Sequence, residues 1–222
     1  MVFISLRSEI YIKSKLKSLL QNIANEINEK YEINEKYENN VKQKELQGTE
    51  GRVFEEYLSE DDIKAIVSEV AKRITADYEG RNPLFICVLN GAYIYAADLY
   101  RAIPVRSEIT FVRLKSYEGT STTGHVELVT PLREDIKGRD VVLIEDIVDT
   151  GTTMHYFKQM LHEMGAKSVA VTAFLFKPEA LLFPDAEPEY IGKSIPRKFV
   201  LGYGLDYDGY GRNIPAVYAL KD

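Results

Sequence analysis

Three carboxylates and three threonines crowd one short stretch of the chain. Val141-Val142-Leu143-Ile144 leads into Glu145 and Asp146, then Ile147-Val148, then Asp149-Thr150-Gly151-Thr152-Thr153. A turn of small residues entering a helix aims several backbone N–H groups at one point, where the helix dipole adds positive potential. The hydroxyls of Thr150, Thr152 and Thr153 supply further donors, so the turn reads as a phosphate cradle. Acids beside such a cradle repel the anion unless they handle another part of the same ligand, such as sugar hydroxyls, a Mg2+ ion or a proton. The turn lacks the Gly-Lys-Ser/Thr ending of a Walker A loop, and Gly202-x-Gly204 lacks the third glycine of a dinucleotide fingerprint. His125, His155 and His162 show no metal-ligand spacing. Cys87, the single cysteine, allows neither an internal disulfide nor a multi-cysteine zinc site.

The elements that must position these groups follow an α/β pattern. Residues 84–89 form a continuous apolar run bounded by turn residues, as expected of a strand covered on both faces in a parallel sheet, and residues 140–144, apolar after Asp140, read as another buried strand. Residues 109–114, 168–176, 198–203 and 216–220 read as further strands. Helices are expected after Ser59, with Ile63, Ile66, Val67, Val70, Ala71 and Ile74 as the buried stripe, and over residues 92–100 and 152–164. The expected fold is therefore α/β, a mostly parallel twisted sheet flanked by helices, with ligands at the carboxyl ends of the strands. Ahead of it, Ile12, Leu16, Leu19, Leu20, Ile23, Ile27 and Tyr31 recur at helical spacing, and Gln47-Gly48-Thr49-Glu50-Gly51 reads as a linker. The expected organisation is thus a helical extension and linker over 1–50 and a catalytic domain over 51–222.

Composition bounds the function classes. The 222 residues are 45% hydrophobic and 28% charged, which excludes wholesale disorder. No apolar run reaches the length of a membrane span, and the apolar part of the amino terminus is too short for a secretory signal, so a cytoplasmic protein is expected. The net charge of -6, with 20 basic against 26 acidic residues in 51–222, argues against a nucleic-acid partner.

The stretch from Val141 to Thr153 resembles the phosphoribosyl pyrophosphate motif of the type I phosphoribosyltransferases: four hydrophobic residues, two acids, two hydrophobics, then Asp-Thr-Gly-x-Thr. Other segments resemble the 6-oxopurine (hypoxanthine-guanine) branch. Val88-Leu89-Asn90-Gly91 is similar to a pyrophosphate-contacting loop whose backbone is exposed by a non-proline cis peptide, here expected between Leu89 and Asn90. Many members carry Lys at the place of Asn90, so what carries over at Asn90 and Gly91 is a backbone role. Ser116-Tyr117 and the Gly/Ser/Thr-rich residues 118–124 resemble the mobile loop that closes over the site. Lys177 aligns with the purine-selecting lysine. Residues 199–213 resemble the carboxyl-terminal signature, which implies Phe199 stacked on the purine, the Val200 backbone at the ring edge, Asp206 on a second Mg2+ and Arg212 on pyrophosphate.

The resemblance covers about Phe54 to Leu220 and implies a small hood beside the sheet, a homodimer or homotetramer, and transfer of 5-phosphoribose to hypoxanthine or guanine. In that scheme Asp149 is the proton acceptor near N7, Glu145 and Asp146 hold ribose hydroxyls or waters on the metal, and Thr150, Gly151, Thr152 and Thr153 grip the 5′-phosphate. Three rivals compete with this scheme: a phosphoribosyltransferase for another base (adenine, xanthine or orotate), a regulator that keeps the pocket without turnover, and a scaffold that assembles through the first 50 residues.

Overall fold

The computed structural model describes residues 52–116 and 126–221, together with Lys15, Lys17, residues 20–22 and a short strand at Glu45–Gln47. The chain divides into two compact units, Met1–Leu46 and Gln47–Asp222. In the first unit Lys15, Lys17 and residues 20–22 are helical, and the other residues of the helix expected there lie outside the described ones.

The second unit holds two sheets. The larger has six strands in the order β4-β3-β2-β5-β6-β7, formed by β2 (Leu84–Leu89), β3 (Glu108–Ser116), β4 (Val126–Leu128), β5 (Asp140–Val148), β6 (Ser168–Phe176) and β7 (Tyr190–Ser194). Every pairing is parallel except that of β3 with β4. The smaller sheet, the hood, is antiparallel. It places β9 (Val217–Leu220) between β1 (Val53–Leu58) and β8 (Val200–Leu201).

Alternation along the central strands shows why their apolar runs are continuous. Phe85 and Cys87 of β2, with Val142 and Ile144 of β5, enter one core beneath helices α1 (Glu60–Tyr78) and α2 (Tyr93–Ala102). Leu84, Ile86, Val141 and Leu143 point the other way, against Met154, Phe157 and Leu161 of α3 (Thr152–Glu163). Successive strand residues face opposite sides, so a strand buried twice has no polar face to show. Helix α1 begins at a capping box. The Ser59 hydroxyl accepts from the Asp62 N–H at 3.2 Å, and the Asp62 carboxylate accepts from the Ser59 N–H at 3.0 Å.

The expected α/β architecture holds, with three differences. β5 does not stop at Ile144: Glu145 pairs with Ala173, Ile147 with Leu175 and Val148 with Phe176, so the acids lie within the strand. Backbone pairing ignores side-chain polarity, and Ile147-Val148 resume the buried pattern. The strand expected over 198–203 shrinks to Val200–Leu201, because Gly202 (φ 98°) and Gly204 (φ 100°) turn the chain. Finally, β1, β4 and β7 were not expected.

Candidate active site

β5 brings the acids to the carboxyl edge of the sheet on opposite faces. Glu145 lines a hollow of about 120 Å3 with residues 147–154, the phosphate turn among them. Its Oε2 is buried without a hydrogen-bond partner. Burial, reinforced by the Asp146 charge, raises the Glu145 carboxyl well above its usual range. Asp146 faces Gly91, so closely that a Cβ built there would lie 1.5 Å from Asp146 Oδ2. Only glycine lets the 89–91 backbone pass. Burial raises Asp146 to about 6, although Oδ1 accepts from the Ile147 N–H at 2.8 Å and the Arg212 charge opposes the shift.

The Leu89-Asn90 peptide is cis, as the resemblance implies. Close by, Gly204 abuts the Gly91 carbonyl, where a Cβ would come within 2.1 Å of the oxygen. This approach ties the turn after β2 to the carboxyl-terminal loop. Arg212 donates to the Gly204 carbonyl at 2.7 Å and pairs with Asp206 at 2.7 Å. Asp206 also accepts from the Gly209 N–H at 2.7 Å. Asp206 bears on Asp146 as a like charge and Arg212 as an opposite one, so the three share one electrostatic neighbourhood.

The Thr/Gly-rich turn enters a helix, as its composition leads one to expect. Gly151 caps α3 in the left-handed region (φ 77°), and a Cβ there would meet Leu181 and Ala186 within 2.8 Å. Thr150 and Thr152 share a hydroxyl hydrogen bond of 3.0 Å, and the Leu182 N–H donates to the Thr150 carbonyl at 2.9 Å.

Asp149 and Thr150 line a second hollow, about 440 Å3, with Lys177, Ala180, Leu182, Arg197, Lys198 and Phe199. Lys177 Nζ donates to Asp149 Oδ2 at 2.8 Å; the lysine side chain is 13% exposed and the aspartate 47%, so the lysine is held while the carboxylate stays open to a ligand. Phe199 is 41% exposed. Behind it stand the rings of Phe54 at 6.1 Å and Tyr207 at 5.6 Å, an aromatic back wall for a flat platform. Val200 is buried in the hood and pairs with Ala219. Arg197, Lys198 and Leu182 did not figure among the expected site residues, although a basic pair directly before Phe199 was a readable signal.

Two expected residues fall at the edge of the described ones or beyond it. Ser116 ends β3, where its backbone pairs with Val126, and its side chain is not described. Tyr117 lies outside the described residues, as do residues 118–124.

A glycine turn at a helix start, strand-borne acids and an aromatic-walled hollow meet at the carboxyl edge of an open sheet, where α/β enzymes bind their ligands. The chain belongs to the phosphoribosyl transferase domain family, whose model matches residues 54–208. A hypoxanthine-guanine phosphoribosyltransferase of Streptococcus thermophilus is 39% identical over 165 residues, 74% of this chain and 91% of the relative. Its counterpart in Streptococcus agalactiae is 41% identical over the same shares. The crystal structure of a hypoxanthine phosphoribosyltransferase from Staphylococcus aureus superposes with a TM-score of 0.72 at 37% identity, covering 75% of this chain and 91% of the other.

Proposed function

We propose that the chain serves purine salvage, transferring 5-phosphoribose from phosphoribosyl pyrophosphate to N9 of hypoxanthine or guanine and giving IMP or GMP with pyrophosphate. One observation carries the reading. Asp149 and Thr150 belong to both hollows, so a phosphate held by the turn and a base on Phe199 meet across Asp149.

Breaking the bond from the anomeric carbon to pyrophosphate leaves positive charge on the sugar and negative charge on the leaving group. The residues answer each demand. The turn from Thr150 to Thr153 fixes the 5′-phosphate and with it the sugar. Asn90 and Gly91, through their backbone, and Arg212 stabilise the departing pyrophosphate. Asp149 accepts the purine proton at N7, a contribution of about 10²–10⁴-fold for a positioned base. Lys177 donates to the 6-oxo oxygen and meets the 6-amino group of adenine donor to donor. Phe199 stacks on the ring, the Val200 backbone reads its edge, and the Ser116-Tyr117 loop closes over the site.

Glu145, Asp146 and Asp206 fit Mg2+ that arrives with its substrate. Glu145 offers a buried oxygen without a partner, and Asp146 and Asp206 repel each other in the absence of a cation. Among the described residues no three His, Cys, Asp or Glu side chains form a metal cage. That suits an ion held largely by waters and phosphate oxygens. When bound, Mg2+ supplies charge neutralisation at the pyrophosphate.

We extend the proposal to a cytoplasmic enzyme that assembles as a homodimer or homotetramer; the buried, unpaired Cys87 accords with a reducing compartment. Incubation with phosphoribosyl pyrophosphate, Mg2+ and each free nucleobase is expected to yield IMP and GMP. Formation of AMP alone, or of no nucleotide, rejects the reading.

A further inference from the structure

We propose that His155, paired with Asp185, is a positioning residue for the 5′-phosphate: it fastens the segment that braces the Thr150–Thr153 turn from behind. The inference rests on the reading above, which places the phosphate in that turn. The turn depends on outside support, because α3 begins at Gly151, which has no side chain to cap it. Residues 177–186 supply the brace. The Lys177 N–H donates to the Val148 carbonyl and the Leu182 N–H to the Thr150 carbonyl, both at 2.9 Å. At Gly151 the brace presses on the turn itself: a Cβ there would lie 2.7 Å from Leu181 Cδ1 and 2.8 Å from Ala186 Cβ.

The far end of the brace, the single turn Pro184–Ala186, is tied down by side chains of α3. His155 Nδ1 donates to both carboxylate oxygens of Asp185, at 2.8 and 2.7 Å, and its ring lies flat on Phe183, with centroids 4.3 Å apart and planes 16° apart. Lys158 donates to the Asp185 carbonyl at 2.9 Å and to Glu189 at 3.1 Å. The His155 N–H donates to the Gly151 carbonyl at 2.9 Å, closing the first turn of α3. One residue therefore joins the helix start to the brace beneath it. The anchors at Val148 and Thr150 are backbone bonds that a side-chain substitution leaves in place. The His155–Asp185 anchor is specific to this sequence.

Backbone N–H groups hold an anion well only when they are aimed before it arrives, since slack in the turn must be removed on binding. The sugar keeps its 5′-phosphate from substrate to nucleotide product, so a steadier turn tightens ground state and transition state alike. Such uniform binding acts on KM rather than on kcat. Neither side chain fills the core, being 20% and 55% exposed, so their replacement leaves the fold standing.

Calorimetric titration with IMP and steady-state rates test the proposal on the full chain, on H155F, H155N and D185A, and on the H155F/D185A double variant. Phenylalanine keeps the ring on Phe183 and loses the donor; asparagine restores an N–H close to the place of Nδ1. H155F and D185A are each expected to weaken IMP binding and raise KM for phosphoribosyl pyrophosphate about fivefold, with kcat and KM for hypoxanthine within about twofold of the parent. The double variant should lose no more than either single one, and H155N should recover part of the loss. The proposal is overturned if IMP affinity stays within about twofold in H155F and D185A, or if both substrates and the melting midpoint suffer together. It is also overturned if the two variants act in opposite directions, as a mere charge effect of His155 on the phosphate requires. An intact protein that neither binds nor forms IMP instead removes the salvage reading itself, so the two failures are distinguishable.

Discussion

The two ends of β5 both carry carboxylates, and they treat them in opposite ways. At the amino end Asp140 is saturated: it accepts from Arg81 at 2.7 and 3.2 Å, from Ser168 at 2.6 Å and from Lys167 at 3.4 Å, and these partners pull its pKa down to about 2. At the carboxyl end Glu145 keeps an oxygen without a partner, and Asp146 rises to about 6. One strand thus separates an acid saturated by its neighbours from a pair of buried acids that its neighbours leave under-compensated. A buried carboxylate oxygen without a partner keeps an acceptor to offer a ligand, whereas the Asp140 oxygens are already spent on the protein.

Four variants break or sharpen that contrast. Asp149→Asn, beyond the carboxyl end, is expected to lower kcat by about 10²–10⁴-fold while phosphoribosyl pyrophosphate affinity and the melting midpoint hold. Steady-state rates and calorimetric titration check it, and equal losses in both remove the proton-acceptor role. Asp140→Asn is expected to cost about 2 kcal/mol of stability by stripping Arg81 of its charged partner. Because the native Asp140 pKa lies below the ordinary 3.8, its stabilisation is complete above about pH 5 and fades as pH falls toward 2. Denaturant midpoints of parent and variant must therefore converge in acid.

Lys177→Ala is expected to erode discrimination against adenine about tenfold, measured as the ratio of kcat/KM for hypoxanthine and adenine. Unchanged selectivity removes Lys177 from base recognition. The smallest effect belongs to Asp146→Asn, and its sign is opposite to that of Asp140→Asn. A native pKa of about 6 against 3.8 means that ionisation opposes folding increasingly as pH rises through that interval. Linkage alone gives about 3 kcal/mol, and the weaker hydrogen bond that an amide oxygen makes with the Ile147 N–H offsets much of it, so the ligand-free variant should gain about 1 kcal/mol at pH 7.5 and almost nothing at pH 4. A loss at pH 7.5 contradicts the contrast between the two ends.

Much of this was legible in the sequence, for physical reasons. Doubly buried strands such as Leu84–Leu89 and Ser168–Phe176 betray themselves by composition, and the phosphate turn by its spacing. β1, with the paired charges Glu55-Glu56, and β7, an edge strand broken by Gly192, lack that signal. The pairing of β1 with β9 joins residues more than 150 positions apart, which no local pattern encodes. At the site, Asp149 and Lys177 were legible from the motif and the resemblance. Their hydrogen bond was not, since it depends on the register that sets Val148 beside Phe176. Leu182 reaches the base pocket only because its turn folds back onto Thr150.

Phe54, wholly buried in β1, stands behind both Phe199 and Tyr207. The seat proposed for the purine is therefore propped by a residue more than 140 positions earlier in the chain. Shortening the chain from its front has a sharp limit: a version starting at Gly51 retains the prop, while one starting at Ser59 leaves Phe199 to lean on Tyr207 alone.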